Sequence, residues 1–144
     1  MTTDASLQTL LDREAIRECV FAYCRGIDRC DEDALRGSYW PDATDSHGIW
    51  KGSAASFIDS ALAQLRQGPR MIHSVGNLSI TLRGHQAAVE TYFMAWQTDP
   101  PSKPNPQQSF LAGRYLDRFE KRGGEWRVAA RVVAESKVPV LVAR

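Results

Sequence analysis

The sequence has no long apolar run, no excess of either charge and few cysteines. Its apolar runs stay far below the ~18–20 residues that span a bilayer, and its N-terminal residues show no signal-peptide pattern. The 18 Lys and Arg residues oppose 17 Asp and Glu residues, a net charge of +1, which gives no electrostatic signature of nucleic-acid or anionic-membrane binding. We therefore expect a cytoplasmic protein that binds neither nucleic acid nor membranes.

Motifs for metals, cofactors and redox chemistry are also missing. The three cysteines, Cys19, Cys24 and Cys30, form no Cys-x-x-Cys pair, so neither a zinc ribbon nor a redox motif is indicated, and we expect free thiols. No histidine cluster has metal-ligand spacing, and neither a dinucleotide glycine fingerprint nor a phosphate loop is present. The sequence predicts no metal and no cofactor.

The 144 residues fit one domain, residues 1–144. The segment Asp99–Pro106 contains four prolines, which exclude a helix or a central strand. Too few residues follow it to build a second core. We interpret it as a long loop between two strands of one sheet.

The first half of the chain predicts helices. Residues 7–29 lack proline, and their apolar residues recur at helical spacing: Ile16, Val20, Tyr23 and Ile27. Asp31 is expected to cap a short second helix, which Pro41 ends. Ser53 is expected to cap a third helix over residues 53–67.

The rest of the chain predicts strands. Residues 44–50 indicate a strand, followed by a turn at Gly52. Two hairpins come next, with strands at 71–82, 87–97, 107–121 and 125–137. Helices first and strands afterwards predict an α+β fold, with helices on one side of an antiparallel sheet. A twisted sheet of this kind curls into a cone whose mouth suits a small ligand.

Asp28 and His73 occupy unusual positions for ionisable residues. At ~100° per residue, Asp28 falls inside the apolar arc of the first helix. A buried, unpaired carboxylate is costly, so it needs a partner or a wet cavity; alternatively, the helix ends before Asp28, whose side chain reaches solvent or caps the next helix. His73 lies in a strand expected to be central, either as a hydrogen-bonded core residue or as a functional group.

If Asp28 and His73 meet, the carboxylate holds one ring nitrogen as a donor and leaves the other free to accept a proton. No serine lies in a strand–turn–helix elbow, so acyl transfer is not indicated. In a largely apolar pocket, this pair predicts proton abstraction from carbon.

Several segments, taken in order, resemble SnoaL-like proteins of the nuclear-transport-factor-2-like (NTF2-like) superfamily, the cystatin-like α+β cones. They are Arg17–Asp28, Tyr39–Ala43, His47–Gly52, His73 with Asn77, and Gly113–Glu120 running on to Trp126. The resemblance implies a strongly curved antiparallel or mixed sheet, closed around one pocket by about three helices from the N-terminal half.

The branch that the sequence most resembles contains scytalone dehydratase, bile-acid 7α-dehydratase and hexachlorocyclohexane dehydrochlorinase. These are cofactor-free lyases in which an Asp–His pair removes a proton and a neighbouring hydroxide or chloride leaves. The resemblance implies that His73 is the base and Asp28 orients it. It also implies that Tyr23 hydrogen-bonds the leaving group or a substrate carbonyl and that Arg131 stabilises developing negative charge.

The same superfamily contains ketosteroid isomerases and non-catalytic β subunits of ring-hydroxylating dioxygenases, so fold alone does not decide the function. An isomerase and a non-catalytic binding or assembly subunit are therefore alternatives to the lyase. The expected ligand is a small hydrophobic cyclic molecule. Its pocket wall is predicted to include Cys24, Trp40, Phe57, Met71, Phe93 and Trp96.

The strand at 87–97 carries large apolar residues on both faces. Phe93 and Ala95 alternate with Tyr92, Met94 and Trp96, so one set must face outward. A monomer would expose that set, which predicts a homo-oligomer; the resemblance implies a trimer, with a dimer as the alternative. The apolar tail Val138–Val142 is expected to pack at a subunit interface or over the pocket mouth.

Overall fold

The structure is a computed structural model and describes residues 3–136. Its three helices are α1 (Thr3–Arg29), α2 (Glu32–Gly37) and α3 (Ala54–Leu65). Its six strands are β1 (Tyr39–His47), β2 (Trp50–Ser53), β3 (Arg70–Arg83), β4 (Gln86–Thr98), β5 (Gln108–Arg122) and β6 (Glu125–Ser136). The tail Val138–Val142, which is expected at a subunit interface or over the pocket mouth, lies outside this part of the chain.

The six strands form one curved, unclosed sheet in the order β2-β1-β6-β5-β4-β3. All neighbours are antiparallel except β1 and β6, which run parallel. Helices α1 and α3 pack on the inner face of this sheet. The predicted α+β class is confirmed, and the sheet is mixed. Within residues 3–136, no helix combines the length and the apolar character needed to cross a membrane.

Helix starts and hairpins agree with the sequence predictions. The Asp31 side chain accepts a hydrogen bond from the Ala34 N–H at the start of α2, and Ser53 accepts one from Ser56 at the start of α3. Each cap satisfies an N–H group that has no partner within its helix. The proline-rich segment joins β4 to β5, as predicted.

Three details around β1 and β3 differ from the predictions. Helix α2 ends at Gly37, and Pro41 lies within β1 rather than at the helix end. The turn falls at Gly48, whose φ of +60° suits glycine, and Gly52 lies in β2. Strand β3 is at the edge of the sheet, not at its centre.

Two β-bulges decide which side chains face inward. In β3, Met71, His73 and Val75 are more buried than their neighbours. The alternation of buried and exposed side chains shifts by one residue after the irregularity between Val75 and Leu78. In β6, a register shift opposite Arg118 and Phe119 produces a similar change. Because side chains alternate along a strand, each extra residue exchanges the two faces. The bulges therefore leave both His73 and Arg131 on the inner face.

Candidate active site

Asp28 and His73 meet at the open edge of the sheet. The Asp28 Oδ1 atom lies 2.6 Å from His73 Nδ1, and Asp28 Oδ2 accepts the backbone N–H of His73 at 2.9 Å. Asp28 is in the last turn of α1, and β3 is an edge strand whose outward N–H groups have no strand partner. The carboxylate therefore fixes both the backbone and the ring of one residue.

This geometry defines what the imidazole can do. An ionised carboxylate only accepts hydrogen bonds, so in the neutral ring His73 Nδ1 carries the proton and Nε2 keeps a lone pair. The pair is shielded, since the exposed fractions of the two side chains are 6% for His73 and 21% for Asp28. A fixed, shielded imidazole with a free Nε2 is suited to accept a proton, and Asp28 stabilises the imidazolium that forms.

A cleft of about 310 Å³ opens beside this pair. Its lining combines ionisable and apolar side chains: Phe21, Cys24, Arg25, Asp28, Arg29, His73 and Val75. The volume is at the lower end of the ~300–1,000 Å³ typical of small-molecule sites. Among residues 3–136, no group of three His, Cys, Asp or Glu side chains is arranged to hold a metal ion.

Arg131 forms the centre of a buried polar cluster on the inner face. Its Nε and Nη2 atoms each donate to Asp117 at 2.8 Å, and its Cζ lies 4.1 Å from the Tyr23 ring centroid and 4.2 Å from that of Tyr115. Burial alone would lower the pKa of Arg131, but the Asp117 carboxylate and the surrounding tyrosines raise it well above its usual value. Arg131 is therefore a permanent internal cation.

The structure does not bring Tyr23 and Arg131 to the surface of the cleft. Both side chains are buried, with 1% exposure each, and neither belongs to the cleft lining. The charge of Arg131 nevertheless acts through space, because it opposes the rise that burial gives to the pKa of Cys24. Burial likewise raises the pKa of Tyr23, against the opposing effect of Arg131, so its phenol stays neutral.

The residues predicted for the pocket wall lie at different distances from the cleft. Cys24 lines the cleft. Phe93 is buried, with its ring centroid 6.4 Å from that of His73, and Met71 packs against the core on the same face, although neither lines the cleft.

Three of the wall residues lie elsewhere. Trp40 borders a different cleft and donates its indole N–H to the Glu120 carbonyl. Phe57 stacks on His47 with ring centroids 4.7 Å apart. Trp96 is on the outer face and is 45% exposed, because the side chains of β4 alternate and the inner positions are taken by Phe93 and Ala95.

A second carboxylate–imidazole contact was not predicted. Asp45 is buried on β1, accepts a hydrogen bond from the Tyr39 hydroxyl at 2.8 Å and lies 3.6 Å from His47 Nδ1. Asp45 stands directly opposite Arg131 in the parallel β1–β6 pairing. The only sequence signal for this contact is the spacing of two residues, which places Asp45 and His47 on one face of a strand.

These features define an α+β cone with an acid–imidazole pair beside a small cleft. The chain belongs to the SnoaL-like domain family, whose model matches residues 8–132. No curated protein sequence matches the chain.

Solved structures with the same fold include proteins of several activities. A hexachlorocyclohexane dehydrochlorinase from Novosphingobium barchaimii is 20% identical, with a TM-score of 0.78 over 96% of this chain and 97% of that one. A candidate scytalone dehydratase from Novosphingobium aromaticivorans is 18% identical, with a TM-score of 0.81 over 96% and 93%. The β subunit of a candidate aromatic-ring-hydroxylating dioxygenase from the same organism is 19% identical, with a TM-score of 0.70 over 92% and 94%. These similarities establish the NTF2-like cone fold.

Proposed function

We propose that this protein is a cofactor-independent lyase, a dehydratase or dehydrohalogenase acting on a small cyclic substrate. The observation that carries the proposal is the Asp28–His73 pair, with 2.6 Å between Asp28 Oδ1 and His73 Nδ1, at the wall of a cleft. His73 Nε2 takes a proton from carbon, and the electrons of that C–H bond form a carbon–carbon double bond. The bond to a neighbouring hydroxide or halide breaks, and that group leaves with its electron pair.

Arg131 supports this reaction from inside the fold. Its side chain is buried and is not part of the cleft lining, so its guanidinium does not contact the reacting atoms. Its charge nevertheless acts at Cys24, which lines the cleft. A positive charge in the low-dielectric interior stabilises the negative charge that develops when carbon loses a proton. Tyr23 is a neutral phenol next to the same guanidinium. It is proposed to help keep the Arg131 guanidinium in position.

The test measures turnover after either Asp28 or His73 has been replaced by alanine. Mass spectrometry of the purified protein identifies any retained small molecule, which guides a panel of cyclic β-hydroxy and β-halo carbonyl compounds. We expect His73→Ala and Asp28→Ala to lower turnover by ~10²–10⁴, the usual contribution of a positioned base. His85→Ala is the matched control, since His85 is exposed in the β3–β4 turn, and it should leave turnover unchanged.

Product analysis decides the reaction class. Loss of water or halide supports the lyase, whereas a mass-neutral shift assigns the same base to an isomerase. Near-wild-type turnover in one of these variants removes the substituted residue from the chemistry. Absence of turnover by the wild-type protein together with a copurifying larger partner favours a binding or assembly subunit.

We also propose that the chain is a cytoplasmic homo-oligomer, with a trimer favoured. The free thiols Cys19, Cys24 and Cys30 fit a reducing compartment. The outer face of the sheet exposes a group of apolar side chains, with Ile72 at 66%, Tyr92 at 48%, Met94 at 46% and Trp96 at 45%. Burial of such a face against symmetry mates is the common solution in soluble proteins.

A further inference from the structure

Two arginines border the cleft beside Asp28 and His73. Phe21, Arg25 and Arg29 follow one another at four-residue spacing along α1, so they form one stripe on the helix surface. All three are exposed and line the cleft, whereas Cys24 and Asp28 lie on the neighbouring stripe. The cleft therefore has a cationic rim immediately outside the acid–imidazole pair.

Neither rim arginine has an ion-pair partner within residues 3–136. Of the other helical arginines, Arg17 lies 3.3 Å from Glu14, Arg36 lies 2.8 Å from Glu32, and Arg13 donates to the Ile80 carbonyl. The acid nearest to Arg25 and Arg29 in the sequence is Asp28, on the neighbouring stripe, and its two oxygens are both bonded to His73.

Two like charges one helical turn apart repel each other and weaken the helix. An anion bound between Arg25 and Arg29 removes that repulsion, and guanidinium groups bind carboxylates through two parallel hydrogen bonds. Phe21, which is 42% exposed, offers an apolar surface next to them for a ring.

We propose that the cleft binds its cyclic substrate through an anionic substituent, which Arg25 and Arg29 hold while the ring packs against Phe21. This inference rests on the proposed function for the identity of the cleft as a substrate site. It narrows the substrate class from any small cyclic molecule to a cyclic carboxylate or a similar amphiphilic anion.

The test compares 2-naphthoate with its neutral analogue 2-naphthamide by isothermal titration calorimetry at low salt, where exposed charges are least screened. We expect wild-type protein to bind 2-naphthoate at least ~10-fold more tightly than 2-naphthamide. The double variant Arg25→Gln/Arg29→Gln should lose that preference, while its affinity for 2-naphthamide stays within ~2-fold of wild type. Glutamine is a good helix former, so α1 is expected to persist.

Two further variants control for net charge and for folding. Arg17→Gln/Arg83→Gln removes the same charge away from the cleft lining and should keep the preference. Arg25→Lys/Arg29→Lys retains both positive charges and should keep most of it. Equal binding of the two ligands, no binding of either, or a preference that survives the glutamine variant would overturn the inference.

The result is separable from that of the turnover test. Binding needs no proton transfer, so His73→Ala should keep the preference for 2-naphthoate even if it abolishes turnover or if the protein proves to be no lyase. Conversely, if turnover depends on His73 but 2-naphthoate is not preferred, the proposed anion site is wrong and the proposed lyase function stands.

Discussion

At the scale of single residues, Cys24 shows how burial selects which group in the cleft is reactive. It lies one helical turn before Asp28 and lines the same cleft. Burial raises the pKa of Cys24 to about 12, although the Arg131 charge opposes that rise. Burial also raises the pKa of Cys19 to about 11. Because only the thiolate is nucleophilic, covalent catalysis by Cys24 is disfavoured, which leaves proton transfer by His73.

We predict that the Cys19 and Cys24 thiols resist alkylation in the folded protein. At pH 8 a thiol whose pKa is about 12 is ~10⁻⁴ ionised. Iodoacetamide should therefore leave Cys19 and Cys24 unmodified in native protein at pH 8, and should modify all three cysteines once the chain is unfolded. Intact-mass and peptide mass spectrometry check this. Rapid native labelling of Cys24 would contradict the buried position assigned to it.

At the scale of elements, local signals predicted most of the fold. The caps Asp31 and Ser53 and the glycine turns of the two hairpins each act within a few residues, so they can be read directly. The position of each strand within the sheet is harder to predict from the sequence. His73 was expected in a central strand, whereas β3 forms an edge. Strand order depends on pairings between distant segments, such as β1 with β6, which no local pattern encodes.

The charged cluster illustrates why part of the site was not predictable. A regular hairpin closing at Arg122 and Glu125 would place Ala130 opposite Asp117. The bulge opposite Arg118 and Phe119 shifts the register by one residue, and Arg131 takes that position instead. One extra residue thus creates the buried ion pair. The Asp28–His73 pair was predictable because an acid within an apolar arc signals a partner.

Gly113 tests the close packing of this region. A Cβ added there would lie 2.4 Å from the Ala134 carbonyl oxygen and 3.1 Å from a Phe93 ring atom. Because the nearest atom belongs to the backbone of β6, relief requires a strand to move. We predict that Gly113→Ala lowers the free energy of unfolding by roughly 1–3 kcal/mol, measured by urea denaturation.

Gly76→Ala is the matched control for that variant. It lies in the β3 bulge, and a Cβ there meets nothing within 4 Å. Its free energy of unfolding should stay within about 0.5 kcal/mol of wild type. Equal effects of the two alanines would mean that strands β5 and β6 are not packed as described.

At the scale of the whole molecule, we propose that the outer face of the sheet mediates self-assembly. Ile72 and Trp96 are directly opposite each other in the β3–β4 pairing, and Trp96 packs on Phe110 with ring centroids 5.0 Å apart. We predict by multi-angle light scattering a mass that is a multiple of the 16.1 kDa chain, three times that value being favoured. Ile72→Lys should shift the mass toward one chain, because it places a charge in the apolar face.

Ile49→Lys provides a control of the same chemistry. Ile49 is fully exposed in the turn between β1 and β2, away from the outer-face group, so the mass should not change. A wild-type mass equal to one chain would refute the proposed oligomer. Dissociation by both lysine variants would show that the effect is not specific to the outer face.

The proposed chemistry requires that Asp28 holds His73 Nδ1–H and leaves Nε2 free to take a proton. Long-range ¹H–¹⁵N correlation spectra of the histidine rings test this arrangement without a substrate. For neutral His73 we expect a protonated, pyrrole-type Nδ1 and an unprotonated, pyridine-type Nε2, with that preference lost in Asp28→Ala. A neutral His73 ring protonated at Nε2 in wild-type protein, or a tautomer unaffected by Asp28→Ala, would rule out this role of Asp28.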